Sequence, residues 1–329
     1  MVSQMNQLNN TLTEIGLTYF KPSEFTIGHK LGSGACGDVY QGDLTLLDKK
    51  IDCVIKRVSS SNYKEKYQHL LYSEFIYEAT IGSKFISKSD YQIQYYGYSY
   101  KQIKDETILY ILMEKTNAKG DMGQYIYGDE FWESMTKDEY DNSHSHTKMY
   151  HEDKYWNYIM KKTEKIKLIK QTTLALQDLH SFKIVHSDLK PSNMLVVDKS
   201  VKLIDFNASH ELQDNTEIQG SAEPGTPGYM APEMYDGWIS FKSDIYSLGV
   251  IMLEIWFGDI WPSNSNDYKK CRKYVLDYLY ILDKDNHDLY NLVKRCVSKD
   301  TKKRPTLKCI LLNLDHILES LGTVELCVD

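Results

Sequence analysis

Between Phe25 and Met113 the apolar positions recur mainly at the two-residue period of strands. Phe25–Leu31, Val39–Leu46, Ile51–Val58, Gln92–Tyr100 and Ile108–Glu114 are rich in Ile, Val, Leu and Tyr and are separated by turn formers, so five strands are expected. One stretch breaks this rhythm. Tyr67, Leu70, Leu71, Phe75 and Ala79 share a helical face, which predicts a helix from Tyr67 to about Phe85. After Lys115 the helical period takes over, and helices are expected at Ile166–His180, Ser243–Phe257, Tyr268–Leu282, Asp288–Cys296 and Leu307–Leu321. Residues 1–24 are Asn-, Gln- and Thr-rich with weak patterning and read as a loosely attached lead-in. No internal repeat is visible. The stretch from Gly128 to about Thr163 is polar and aromatic, too long for a plain connection, and reads as either an insertion or a functional excursion. Its His144, His146 and His151 have no acidic or Cys ligand at convincing spacing, so a solvated insert is preferred over a metal site.

Composition narrows the classes. The chain has 329 residues, 26% charged and 42% hydrophobic, which is globular and excludes disordered and fibrous types. Its formal net charge of −7 argues against a protein whose main work is gripping nucleic acid. Six cysteines without C-x-x-C spacing read as free thiols of a reducing compartment, so a cytoplasmic or nuclear setting is expected. The first residues lack the basic start and apolar run of a signal peptide. The longest apolar stretch, Tyr246–Trp261, is interrupted by Gly249, Glu254, Gly258 and Asp259 and reads as a buried helix, so no membrane span is expected.

The polar positions then carry the chemistry. Gly32, Gly34 and Gly37 form a G-x-G-x-x-G run followed by a strand-like segment, whereas a dinucleotide fold would place a helix there. A strand–glycine–strand flap lets backbone N–H groups approach phosphates. On the next strand, Val54 and Lys56 share one face and would suit a nucleotide base beside its phosphates. His186-Ser187-Asp188-Leu189-Lys190-Pro191-Ser192-Asn193 gathers a base, a cation and a metal ligand in one loop before the apolar strand Met194–Val197. Asp205-Phe206-Asn207 ends the apolar strand Val201–Ile204, and Gly225-Thr226-Pro227-Gly228-Tyr229-Met230-Ala231-Pro232-Glu233 follows, then Asp244 and Arg304.

Taken together and in this order, these motifs closely resemble those of eukaryotic-type protein kinases, over roughly residues 25–322. The resemblance implies an α+β, bilobal protein kinase fold: a small antiparallel β-sheet N-lobe with one helix (25–113), a hinge (114–118) and a larger, mainly helical C-lobe (119–322) holding the insert near 128–163. A tail, 323–329, would follow, and 1–24 would be an N-terminal extension. The implied cofactors are ATP and Mg2+, with Mn2+ as a substitute. Protein substrates and a regulatory protein are the implied partners. Carried over residue by residue, Gly32, Gly34 and Gly37 would cover the phosphates. Lys56 would hold the α- and β-phosphates and pair with a helix Glu; Glu78 is preferred for its following Ile81 and Phe85, with Glu74 one turn earlier as the other candidate. Asp188 would accept the substrate proton, Lys190 would neutralise charge, and Asn193 and Asp205 would bind the metal. Val39, Val54 and Leu195 would sandwich the adenine. Met113 would be the gatekeeper, Glu114 and Thr116 would supply hinge backbone contacts, and Asp121 would lie near the ribose. Glu233 with Arg304, and Asp244, would be architectural.

Lys190 and Thr226 resemble the serine/threonine branch. In the family, that Thr hydrogen-bonds the catalytic Asp and Lys. Two departures stand out. Ser187 replaces the Arg that ordinarily receives an activation-segment phosphate. Asn207 replaces the Gly of Asp-Phe-Gly, and because Asn tolerates positive φ the metal-binding Asp is expected to be presented all the same. The His-Ser-Asp run resembles monopolar-spindle checkpoint kinases, a match too short to assign a subfamily. A pseudokinase scaffold that binds nucleotide or partner proteins, and a dual-specificity kinase, are the competing readings. Cys36 at the flap tip reads as a solvent-facing spacer.

Overall fold

The computed structural model describes residues 2–34, 37–46, 49–63, 70–118, 120–127, 160–198, 200–213, 216–220, 225–258, 260–261 and 267–325. Cys36, Ser221, the three insert histidines and most of the insert lie outside the described residues, as does the end of the C-terminal tail. The chain forms two compact units. One holds residues 1–117 with Asp205–Asn207, and the other holds 118–204 with 208–329.

The first unit is built on a six-stranded sheet. Helix α1 (Val2–Glu14) and strand β1 (Thr18–Tyr19) precede β2 (Phe25–Gly34), β3 (Gly37–Leu46), β4 (Lys49–Ser59), helix α2 (Leu70–Ser83), β5 (Tyr95–Ile103) and β6 (Glu106–Glu114). The spatial order is β1-β5-β6-β4-β3-β2, antiparallel except where β1 lies parallel to β5. Alternation puts Phe25, Leu44, Cys53, Ile55, Ile108, Tyr110 and Leu112 into one apolar cluster, joined by Phe20. Val54 and Lys56 therefore point to the opposite face. On α2, Leu71, Phe75 and Ala79 are buried, the face their spacing predicted, and Glu78 is buried with them.

The lead-in differs from expectation. Leu8 and Leu12, one helical turn apart, are fully buried, and α1 packs against α2. Met5, Leu8, Leu12 and Ile15 do carry a helical stripe, but the Asn and Gln between them dilute it.

The second unit is mainly helical. It comprises α3 (Met122–Tyr127), α4 (Lys162–Ser181), α5 (Phe241–Phe257), α6 (Tyr268–Asp285), α7 (His287–Cys296) and α8 (Leu307–Glu325). Helix α4 begins inside the stretch assigned to the insert. Helix α5 is buried over nearly its whole length, which explains its continuous apolar character, and Ser240 caps its start by accepting from Lys242 N. Three two-stranded pairs position the loops between helices: β7 (Ile184–Val185) with β10 (His210–Glu211), β8 (Met194–Val197) with β9 (Ser200–Leu203), and β11 (Glu217–Gln219) with β12 (Trp238–Ser240). Among the described residues no helix is long and apolar enough to cross a membrane.

Candidate active site

The sheet unit supplies a cation held between two carboxylates. Lys56 Nζ lies 2.8 Å from Glu78 Oε1 and 3.1 Å from Asp205 Oδ1. Glu78, not Glu74, is the helix partner; Glu74 instead accepts from Tyr63 Oη at 2.7 Å. Burial works to lower the Lys56 pKa, but the Glu78 and Asp205 carboxylates outweigh it and hold the ammonium above the ordinary lysine value. Burial also pushes the Glu78 carboxyl up, against the pull of Lys56. Tyr95 Oη donates to the same Glu78 oxygen at 3.3 Å, a partner the sequence motifs did not indicate.

Asp205 carries the strain of its segment. Its φ is 62°, whereas Asn207 is absent from the positive-φ residues, so the expected use of asparagine there is corrected. Asn207 contributes through its side chain, donating Nδ2–H to Asp205 Oδ1 at 2.5 Å. Phe206 is fully buried, its ring centroid 4.9 Å from Phe85 and 6.4 Å from Tyr95.

The glycine flap closes the same sheet. Gly32 pairs with Val39 and Gly34 with Gly37, while Val39 in turn pairs with Lys56 and Val54 with Met113. Gly37 has φ 146°, and a Cβ there would meet Arg57 O at 2.5 Å, so this position admits glycine alone. At the end of β6, Glu114 donates its backbone N–H to Gln94 O at 2.9 Å and accepts Gln94 N–H on Oε1 at 2.9 Å. Thr116 follows Glu114 past the end of the strand.

The helical unit holds a second set. Asp188 Oδ1 accepts from Thr226 Oγ1 at 2.7 Å, and Oδ2 accepts from Asn193 Nδ2 at 3.1 Å. Lys190 Nζ is 2.9 Å from Asp188 Oδ2 and donates to Thr226 Oγ1 at 2.6 Å. The four residues named from the motifs thus form one hydrogen-bonded group. Leu195 bridges to Asp121, and Asp121 has a local task as well: its Oδ1 accepts from Gln124 N while its N–H donates to Gln124 Oε1, capping α3.

Buried Asp244 fixes this loop from beneath. Its Oδ2 accepts the backbone N–H of His186 at 2.8 Å and lies 2.9 Å from His180 Nε2, and its Oδ1 accepts Ser187 N–H at 3.0 Å. His180 escaped the sequence reading because it sits on α4, outside every motif. Ser187 holds φ 67° and its Oγ lies 3.2 Å from His210 Nδ1. Burial depresses the His210 pKa, outweighing a backbone hydrogen bond at Ala208 and the Asp244 charge, so this imidazole is neutral at pH 7. Deeper in the unit, Glu233 receives a two-pronged bond from Arg304, Nη1 to Oε1 at 2.6 Å and Nη2 to Oε2 at 2.7 Å.

A family model described as "Protein kinase domain" matches residues 25–314. The chain belongs to the protein kinase family. Its α+β, bilobal architecture, with a sheet-bearing N-terminal part and a helical C-terminal part, is that of the kinase domain. Among curated relatives, the dual specificity protein kinase Ttk of Danio rerio is 34% identical over 158 residues, covering 43% of this chain and 16% of that protein. The serine/threonine-protein kinase MPS1 of Encephalitozoon cuniculi is 33% identical over 163 residues, 46% of this chain and 27% of its own length. The cysteine-rich receptor-like protein kinase 36 of Arabidopsis thaliana is 25% identical over 316 residues, 91% of this chain and 42% of that protein. The kinase chain described here therefore spans less than half of each of these relatives.

Proposed function

We propose that the chain transfers the γ-phosphoryl group of Mg-ATP to Ser and Thr hydroxyls of protein substrates. The observation that carries this reading is the Asp188 carboxylate, held by Thr226, Asn193 and Lys190 at 2.7–3.1 Å. Such a group can orient an attacking hydroxyl and take its proton. The proton goes to Oδ1, which among the described residues accepts one hydrogen bond, against two contacts at Oδ2. Lys190 offsets charge that develops on the transferred group. Lys56, fixed by Glu78, is the cation for the α- and β-phosphates. Gly32, Gly34 and Gly37 give backbone N–H groups room to approach the phosphates. Val39, Val54, Met113 and Leu195 offer apolar surface to the purine, Glu114 and Thr116 its backbone contacts, and Asp121 an acceptor for the ribose.

The donor chemistry fits a hard divalent cation. Asn193 spends its Nδ2 on Asp188 O and Oδ2, which leaves the amide oxygen as its ligating atom, and Asp205 offers a carboxylate. When bound, the metal neutralises phosphate charge. Thermal-shift titrations test this: Mg-ATP at a hundred times its Kd should add about 2.7 kcal/mol to wild-type stability. Asp205→Ala should abolish the magnesium-dependent part of the shift, and equal stabilisation of both proteins would defeat the metal assignment.

Transfer of labelled phosphate to a generic protein, with phosphoamino-acid analysis, tests the reaction. Phosphoserine and phosphothreonine support the proposal. Phosphotyrosine beside them would favour dual specificity, the property in the name of the Danio relative. No transfer at all would favour a scaffold.

Activity should not depend on activation-segment phosphate. His210 is the one basic side chain between Asp205 and Glu233, and it is neutral and engaged with Ser187. A phosphate orders a loop only when a cation receives it. Phosphatase treatment, verified by mass spectrometry, should change initial rates by less than about threefold, and so should Thr216→Ala. A hundredfold loss in both would mean that another cation receives a phosphate.

A further inference from the structure

Whatever fixes α2 decides whether Glu78 meets Lys56. Two of the holds on α2 within the sheet unit bear on Glu78. From β5, Tyr95 lies against Gly82, where a Cβ would fall 2.3 Å from the ring, and its hydroxyl reaches Glu78. From the beginning of the chain, α1 packs against α2 with Leu8 and Leu12 fully buried. The two holds meet on β5. Three residues beyond Tyr95, Tyr98 Oη donates to Asn9 Oδ1 at 2.6 Å, with Asn9 O at 3.2 Å and Thr13 Oγ1 at 3.4 Å.

The rest of the segment is hooked over the sheet edge. Thr18 and Tyr19 pair in parallel with Gly97 and Tyr98, and Phe20 N–H donates to Tyr98 O at 2.8 Å. The approach is so close that a Cβ on Gly97 would sit 2.1 Å from Thr18 O. Phe20 then enters the apolar cluster with Tyr110 and Leu112, while Tyr98 lies opposite Ile111 on the other face. One short segment thus grips both faces of the sheet and covers α2. All of it precedes Phe25, where the family match begins.

We propose that residues 2–20 are a positioning brace, which raises the catalytic rate by holding α2 where Glu78 pairs with Lys56. The inference rests on the phosphoryl-transfer reading above. The brace contacts belong to the paired arrangement, so losing them lowers the fraction of molecules competent for transfer. Leu8, Leu12, Asn9 and Tyr98 touch no reacting atom; they act through Glu78.

The test is a mutant cycle on the full chain. Leu8→Ala/Leu12→Ala and Tyr98→Phe are each made alone and in a Glu78→Gln background, and steady-state rates are measured where circular dichroism shows the native fold. The double alanine should lower kcat about tenfold, leave KM for the protein substrate within about twofold, and be reversed by Leu→Met at both sites. In the Glu78→Gln background the same changes should alter kcat by less than about twofold, because the interaction they act through is already gone. An unchanged kcat in the brace variants, or the same tenfold loss without Glu78, overturns the proposal. Should the double alanine fail to fold, Tyr98→Phe supplies both comparisons. The wild-type rate in the same assay reports on the transfer reading separately.

Discussion

Asp188→Asn should fold normally and transfer phosphate at least about a hundredfold more slowly than wild type. The amide can keep the geometry. Its oxygen can face Asn193 and Lys190, and its nitrogen can donate to Thr226, whose hydroxyl has lone pairs to accept it. The proton acceptor is lost, and with it the counter-charge of Lys190. Initial rates with labelled ATP and a thermal melt separate chemistry from stability. Near-wild-type turnover would mean that Asp188 is not the base.

Lys56→Met should lose transfer by orders of magnitude and should also cost stability, by about 2–4 kcal/mol at pH 8. It leaves Glu78, 2% exposed, without its cation. The sign of the pH dependence follows from Glu78. Burial already raises its folded pKa, and removing the Lys56 charge raises it further. A carboxyl whose folded pKa exceeds its unfolded one contributes stability that is full below the unfolded value and is lost as pH rises through the folded value. The variant should therefore lie closest to wild type near pH 4–5 and fall away toward pH 8. Adding Glu78→Gln should restore the stability and flatten the pH dependence, since a neutral amide can still accept from Tyr95, but should not restore activity. Denaturant midpoints at both pH values measure this. A Lys56→Met protein equally stable throughout would mean that the pair is not buried as described.

How legible the fold was depended on segment length and on local signals. The five strands from Phe25 to Glu114 and the long helices announced themselves because most bury one consistent face, while α5, buried all round, showed as an unbroken apolar run. The apolar strands β8 and β9 were legible beside the motifs, whereas β1, β7, β10, β11 and β12, of two or three residues each, were invisible, being too short to show a period; only pairing with residues elsewhere in the chain creates them. Motif residues were legible because their chemistry demands fixed spacing along the chain, and Glu78 followed from the apolar residues beyond it. The supporting partners were not. His180 and Tyr95 act across sequence distance and no local pattern marks them, whereas Asn207 stands inside a motif but acts through a side-chain bond that the motif does not indicate. At Asn207 the reading assigned positive φ to the residue with the known tolerance, whereas Asp205 itself adopts it. In α1 polar composition outweighed a real apolar stripe.

The parallel pairing of β1 with β5 also sets an order of events. Thr18 finds its partner at Gly97 and α1 packs on α2, so α1 and β1 cannot close until α2 and β5 are in place to receive them. Closing so long a loop is entropically costly and slow beside the local hairpins β2–β3 and β5–β6. The chain's first elements should therefore dock last in folding and be the first to open in native-state fluctuations, while both hairpins remain intact.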